Sequence, residues 1–378
     1  RYQGTLLTQF FALLMTVNGI APVLSPVLGG WIITAFDWRI LFWSMAAIGA
    51  VLLLLSLTVL HETLPAKSAN SVTQQQDDIP VMGKTDLLLY APCPVKLVVK
   101  ERIEAIAAAA TPPLTAHIPM GCTSVDPYDP LYMESDANKL PAVIASIGYG
   151  DFWRGEFVRR FVNTGIFESV QPRVLNPLYA DAGLIDPAGA YTIYGVTPYI
   201  FLVDYKKLDG LPAPKNWADL MNPRYRGQIV MCGDGDDMAD AVLLNQYKDF
   251  GEPGVTGLAA NIKSFMHSSR MAKVCGTAAP DAGGIFIIPL FFAESTKLPE
   301  HVEIVWPEDG AAASPLYLLA KKSEAQRLAP LLDFFANGFG SIDSAAWFIP
   351  MDGARPSPLP HNARLKWVGW DFVENNDV

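Results

Sequence analysis

The residues best suited to chemistry fall just beyond the ends of expected strands. Asp234, Asp236 and Asp237 crowd the loop Cys232-Gly233-Asp234-Gly235-Asp236-Asp237, which joins an expected strand at 228–231 to an expected helix at 238–250. Carboxylate oxygens suit a hard cation or an amine, but Asp is equally at home at a solvated helix N-terminus, through capping and the helix dipole. The glutamate that would complete an EF-hand loop is missing, so calcium by that route is not indicated. Cys93, Cys122 and Cys232 also each follow an expected strand. Thiolates from three loops around one cleft would select a soft metal, while free cysteine is as often a small buried apolar residue. Lys96, near the start of the first expected helix, either meets an anionic ligand or is simply exposed.

Further candidates share these loops. Gly121-Cys122-Thr123-Ser124 follows the second strand of the soluble part, with Thr123 beside the cysteine, and Gly148-Tyr149-Gly150-Asp151 follows the third, offering Tyr149 and Asp151. Tyr194 and Tyr199 lie on a long apolar run, and Ser268 lies in an expected loop, His267-Ser268-Ser269-Arg270. An enzyme would have to assemble His117, His267, Ser268 and Ser269, yet no G-x-S-x-G elbow and no H-E-x-x-H anchors such a set. Gly233-Asp234-Gly235 lacks G-x-G-x-x-G spacing and no Walker lysine follows it. Binding is therefore favoured over catalysis.

These loops need a scaffold. Strands are expected at 86–90, 114–119, 142–147, 193–203, 228–231 and 284–292, and helices at 96–110, 152–163, 238–250, 257–265 and 324–336, with Asn216 capping a short one. Such alternation of strand, loop and helix marks a parallel α/β sheet, whose ligand loops gather at the carboxyl ends of the strands.

Composition narrows the classes. The chain has 378 residues, half of them apolar, enough for two or three domains and a substantial core. A formal charge of −10 argues against nucleic-acid binding, which needs a basic stripe. The four cysteines show no C-x-x-C spacing, so neither a zinc site nor a disulfide framework is signalled. Beginning with Arg1, the chain reads as a fragment or a processed product. No charged residue occurs between Thr5 and Phe36, nor between Ile40 and Leu60. Each run reaches the ~20 residues that span a bilayer as a helix. Residues 1–65 are thus expected to form a transmembrane hairpin turning at Asp37-Trp38-Arg39, and the polar stretch 66–79 a flexible linker.

Two family resemblances follow. The order YGVTPYIFLVDYKKL, LPAPKNWADLMNPRYRGQIVM and the ligand loop resembles the crossover into the second lobe of solute-binding proteins of ABC importers, nearest the branch with iron and polyamine binders. Pro307-Glu308-Asp309-Gly310-Ala311-Ala312-Ala313-Ser314-Pro315 resembles the return crossover of that family and adds Glu308 as a candidate contact. The resemblance implies a two-lobed, type II periplasmic-binding-protein-like α/β fold, with lobe 1 at 80–190 and 302–378 and lobe 2 at 191–301. It implies hinge closure on a small-molecule or ion solute, an ABC permease as partner and no catalysis. No cofactor is implied, and a bound metal ion is compatible but not signalled. Iron-binding relatives use adjacent tyrosines late in the chain; here Ala345-Ala346-Trp347-Phe348 stands where they would be sought, and no Tyr-Tyr pair exists.

The second resemblance lies in the N-terminal part. Asn18-Gly19-Ile20-Ala21-Pro22, Ser25-Pro26-Val27-Leu28-Gly29-Gly30, Asp37-Trp38-Arg39 and Glu62-Thr63-Leu64-Pro65 resemble the fifth and sixth helices of major facilitator drug exporters of the Bcr/CflA type. Two helices alone cannot build an exporter. By receptor resemblance the soluble part is periplasmic, and by exporter topology it is cytoplasmic; either way it is expected to be tied to the membrane.

Overall fold

A computed structural model describes residues 83–119, 128–233, 240–354 and 358–375. The expected transmembrane hairpin and the linker lie outside the described residues, and among the described residues no helix is long and apolar enough to cross a membrane. The chain divides into two units between Thr73 and Gln74, and the described residues all belong to the second.

Its strands are β1 (Leu87–Leu89), β2 (Ala116–His117), β3 (Val143–Ile147), β4 (Tyr191–Asp204), β5 (Ile229–Met231), β6 (Ile262–Phe265), β7 (Ile285–Pro289), β8 (Val302–Val305), β9 (Ala311–Ala320), β10 (Ile349–Pro350) and β11 (Leu365–Lys366). They form one sheet in the order β2-β1-β3-β9-β4-β7-β5-β6, with β8 and β10 also pairing β4 and β11 pairing β9. On one side β1 lies parallel to β2 and β3; on the other β5 lies parallel to β6 and β7. Between them run β4 and β9, antiparallel to each other and to the strands they flank. The result is a two-lobed α/β protein whose lobes share two long strands.

Every residue of β4 and of β9 is buried, which explains why both read as continuous apolar runs rather than alternating ones. Their prolines obey the ladder. β3 ends opposite Leu316, and β7 ends opposite Tyr199. Pro315 and Pro198 lie just past those points, where each crossing strand loses that neighbour and a missing N–H costs least. Gly195 lets β4 approach closely, since a Cβ there would stand 3.0 Å from both Leu316 and Phe339.

Several local expectations change. The helix expected over 257–265 is the end of a longer one, Asp240–Ala259, followed by strand β6; Gly251 breaks that helix with φ 64°, and Asn261 turns the chain by donating to the carbonyls of Leu220 and Asn222 at 2.8 Å each. The loop expected at 267–270 begins a helix, Ser268–Val274, because the His267 ring nitrogen caps the Ser269 amide. Strand 284–292 stops at Pro289 and continues as helix Leu290–Glu294. The helix expected over 324–336 is cut into 3-10, α and π pieces, with Pro330 opening the α piece Ala329–Asp333. Residues 152–163 break at Arg154, whose backbone is extended. The return crossing is β9 itself; the strand at 302–305 stays in the second lobe, paired with Phe201–Asp204.

Asp86, just before β1, accepts the Thr115 amide at 2.8 Å and an Arg327 guanidinium N–H at 2.6 Å. Partial burial raises its pKa, but the bonds from Arg327 and Thr115 outweigh this and hold it below the ordinary 3.8. The carboxylate therefore stabilises the fold fully above that value and progressively less as pH falls through the depressed one. Asp86→Asn is expected to lower stability by roughly 1 kcal/mol at neutral pH. In urea melts the gap between the variant and the parent should close as pH falls through the depressed pKa; a gap unchanged by acid would refute the assignment.

Candidate functional site

The register fixes where the lobes meet. Ile147 at the carboxyl end of β3 pairs with Leu316, which faces Gly195. Pro289 at the carboxyl end of β7 pairs with Tyr199, which faces Ala312. The carboxyl ends of both parallel sets thus approach the crossing strands from opposite directions. Because β10 pairs with Gly195 and Val196 and β11 with Ala311 and Ala312, the crossing pair is a bare two-stranded ribbon only at Thr197 and Pro198 opposite Ser314 and Ala313. Ligands of open α/β sheets bind beyond such strand ends. The floor is Val196, Thr197 and Pro198 against Pro315, Ser314 and Ala313. Thr197 faces Ser314 directly, so their hydroxyls share one side of the ribbon.

Loops from both lobes surround this floor. After β1, Cys93 is exposed, whereas Lys96 is buried, not exposed: its ammonium lies 4.6 Å over the Tyr90 ring. Cys122 and Thr123 lie outside the described residues. After β3, Tyr149 is buried and stacks on Trp367 at 5.6 Å, its hydroxyl 3.5 Å from the Ala313 carbonyl of the floor. Burial, with the charge of Asp240 adding to it, pushes the Tyr149 phenol well above its usual range. Asp151 opens the short 3-10 turn Asp151–Trp153.

In the second lobe Asp234, Asp236 and Asp237 lie outside the described residues. Cys232 is wholly buried, its sulfur 3.7 Å from the Tyr199 hydroxyl. A soft-metal site shared with the exposed Cys93 finds no support in that arrangement. Among the described residues no group of three His, Cys, Asp or Glu is placed to hold a metal ion. Ser268 is wholly buried at the start of its helix, its hydroxyl without a partner among the described residues. His267 next to it is exposed, 2.8 Å from the Ser269 hydroxyl.

Two candidates sit away from the floor. Tyr194 fills the core of the first lobe between Phe335 and Phe339, at 4.9 and 5.1 Å. It sits where the β4–β9 register shifts between Ile193 and Gly195, and burial raises its pKa. Glu308 is exposed and pairs with Lys215 at 3.4 Å. The floor residues Thr197 and Ser314 lie inside the two segments that carry the family resemblance, each next to a proline, but were not singled out as contacts.

Comparison with known proteins agrees with this architecture. Residues 138–376, more than half the chain, match the family described as bacterial extracellular solute-binding protein. The chain belongs to that family. Among solved structures, the binding protein resembles apo ferric ion-binding protein A of Pasteurella haemolytica (TM-score 0.52, 12% identity, covering 73% of this chain and 87% of that one). It also resembles apo FutA2 of Synechocystis PCC6803 (TM-score 0.52, 13% identity, 77% and 94%). At such identity the likeness is one of fold.

Residues 2–162 match the Major Facilitator Superfamily. Multidrug resistance protein MdtL of Escherichia coli O17:K52:H18 is 50% identical over 63 residues, 17% of this chain and 16% of that protein. The same protein of Shigella boydii serotype 18 matches to the same extent. The chain thus spans about a sixth of the length of these relatives. The superfamily match overlaps three strands of the binding-protein sheet, which lie within residues 87–147.

The thiols give a direct check. Burial, with the charge of Asp204 adding to it, pushes the Cys275 thiol up to about 12, so it stays protonated and unreactive at ordinary pH. Of the three described cysteines, Cys93 should react first with a thiol reagent, Cys232 and Cys275 only on unfolding. Peptide mass spectrometry over time reads the order, and early labelling of Cys232 would show that the floor opens to solvent.

Proposed function

We propose that the protein captures a small solute between its lobes by hinge closure and passes it to an ABC permease on the extracytoplasmic face of a membrane. The observation that carries this reading is the convergence of both parallel strand sets on one two-stranded ribbon, since bending there moves the loops of one lobe toward those of the other. Family membership supports it. In this reading Thr197 and Ser314 touch the solute from below, Tyr149 and Asp151 from the first lobe and Ser268 from the second, with Cys93 at the rim; Cys122, Thr123, Asp234, Asp236 and Asp237 stay candidates from the sequence alone. The exporter-like segment 1–65 tethers the domain to the membrane.

The Pasteurella haemolytica protein is a ferric ion-binding protein, but the residues here favour another solute. No Tyr-Tyr pair occurs, and Tyr149 and Tyr194 are phenols that burial holds protonated, whereas ferric ion wants hard anionic oxygen. The solute is therefore read as a small organic molecule rather than bare ferric ion.

The full-length chain, purified gently and sprayed native, should carry a releasable small molecule. Adding that molecule back should reduce the radius of gyration in small-angle scattering. Thr197→Val and Ser314→Ala should each weaken binding by about three- to tenfold, the size of one neutral hydrogen bond. A chain that holds no solute and never becomes more compact would sink the receptor reading.

A further inference from the structure

We infer that the cavity between the helix Pro177–Ala182 and the chain segment 363–365 is a second small-molecule site, and that its ligand is a small zwitterion with an ammonium group and a carboxylate at the two ends of a short apolar body. The inference stands apart from the receptor reading, since no residue assigned to the cleft lines this cavity.

The cavity has a volume of about 280 Å³, at the small end of ligand pockets. One wall is Leu178, Asp181 and Ala182, whose three- and four-residue spacing puts them on one face of the helix. That helix is held from behind by β10, because the Asn176 carboxamide donates to the Pro350 carbonyl and the Tyr179 hydroxyl to the Ile349 carbonyl, at 3.0 Å each. The other wall is Ala363, Arg364 and Leu365. It is held just as firmly. The Arg364 carbonyl accepts the Ala311 amide at 2.9 Å and the Trp306 indole N–H at 3.0 Å, and Leu365 begins β11 beside Ala311. Gly310 admits this close approach, since a Cβ there would stand 2.9 Å from the Leu365 backbone. Each wall is thus bonded to its own part of the sheet, and the space between them is preformed.

The charges specify the ligand. Asp181 and Arg364 are the two charged residues of the lining, one on each wall. Among the described residues neither side chain has an ion pair or a hydrogen bond, whether with the other or with any third group. The cavity therefore offers a negative pole on one side and a positive pole on the other, with Leu178, Ala182, Ala363 and Leu365 between them. Two of these four are alanines, whose short side chains leave the middle open. A carboxylate suits the planar fork of the Arg364 guanidinium, and an ammonium suits the Asp181 carboxylate. A simple anion would meet one pole and be repelled by the other, and a simple cation likewise. Only a ligand carrying both charges is attracted at both walls.

The test titrates the full-length chain with glycine, β-alanine, γ-aminobutyrate and ε-aminocaproate, in which the same two charges stand progressively farther apart, and with acetate and ethylammonium as single-charge controls. One zwitterion should bind about two- to fivefold tighter than either control, the size of one exposed charge pair. Asp181→Asn and Arg364→Gln should each weaken it by the same factor, and Thr197→Val should leave it unchanged. In the isotope-labelled parent protein that zwitterion should shift the Ala182 and Ala363 amide resonances while Thr197 stays in place, a readout that does not depend on any variant folding. The site is overturned if no zwitterion binds tighter than the controls, if both charge variants bind as the parent does, or if Thr197 moves while Ala182 and Ala363 stay still. A solute held in the cleft with no response at Ala182 and Ala363 to any zwitterion would remove this site and keep the receptor. Zwitterion binding here by a chain that no solute makes more compact would do the reverse.

Discussion

The pairing of β4 with β9 is the constraint on which the rest depends. Two antiparallel strands cross from one lobe to the other and supply sheet neighbours to both, so neither lobe can complete its sheet without them. Their cross-strand bonds hold the ribbon together, and only at Thr197 and Pro198 opposite Ser314 and Ala313 does neither strand have a further sheet neighbour. Prolines at 198 and 315 reinforce this difference, because a residue without an N–H cannot recruit another strand. Stiff lobes joined by a narrow ribbon are what hinge closure requires.

The C-terminal segment adds a further connection. β11 pairs with Ala311 and Ala312, and the Lys366 ammonium reaches Asp249 at 2.5 Å and Asp309 at 3.3 Å, all in or beside the second lobe. The next residue, Trp367, stacks on Tyr149, and Trp370 lies 5.7 Å from Trp153 in the first lobe. Any motion about the ribbon must therefore carry this strap with it. Since Tyr149 also reaches the Ala313 carbonyl, the aromatic cluster couples the strap to the floor of the cleft.

The crossing strand and the parallel sets were legible because a continuous apolar run as long and β-branched as 193–203 fits little except a strand buried on both faces. Boundaries failed where a single residue decided them. Pro289 ended a strand that the apolar pattern would have prolonged, His267 turned an apparent loop into a helix start, and Asn261 divided the stretch 257–265, read as one helix, into a helix end and strand β6. The site was legible mainly as a set of loops. Which side chains enter it depends on register, and a shift between Ile193 and Gly195 was enough to send Tyr194 into the core. Thr197 and Ser314 lie within the two crossover segments yet did not stand out as contacts, since a hydroxyl on a buried strand is ordinary until the flanking strands are seen to stop beside it.

The fold therefore says less about the solute than the side chains do. Structures at 12–13% identity share the fold, because a fold is set by apolar pattern and register, which many sequences satisfy. Ligand donors are set one residue at a time. The Tyr149 and Tyr194 phenols, for instance, are buried here and burial raises the pKa of each, a property of those two positions that the shared fold does not dictate.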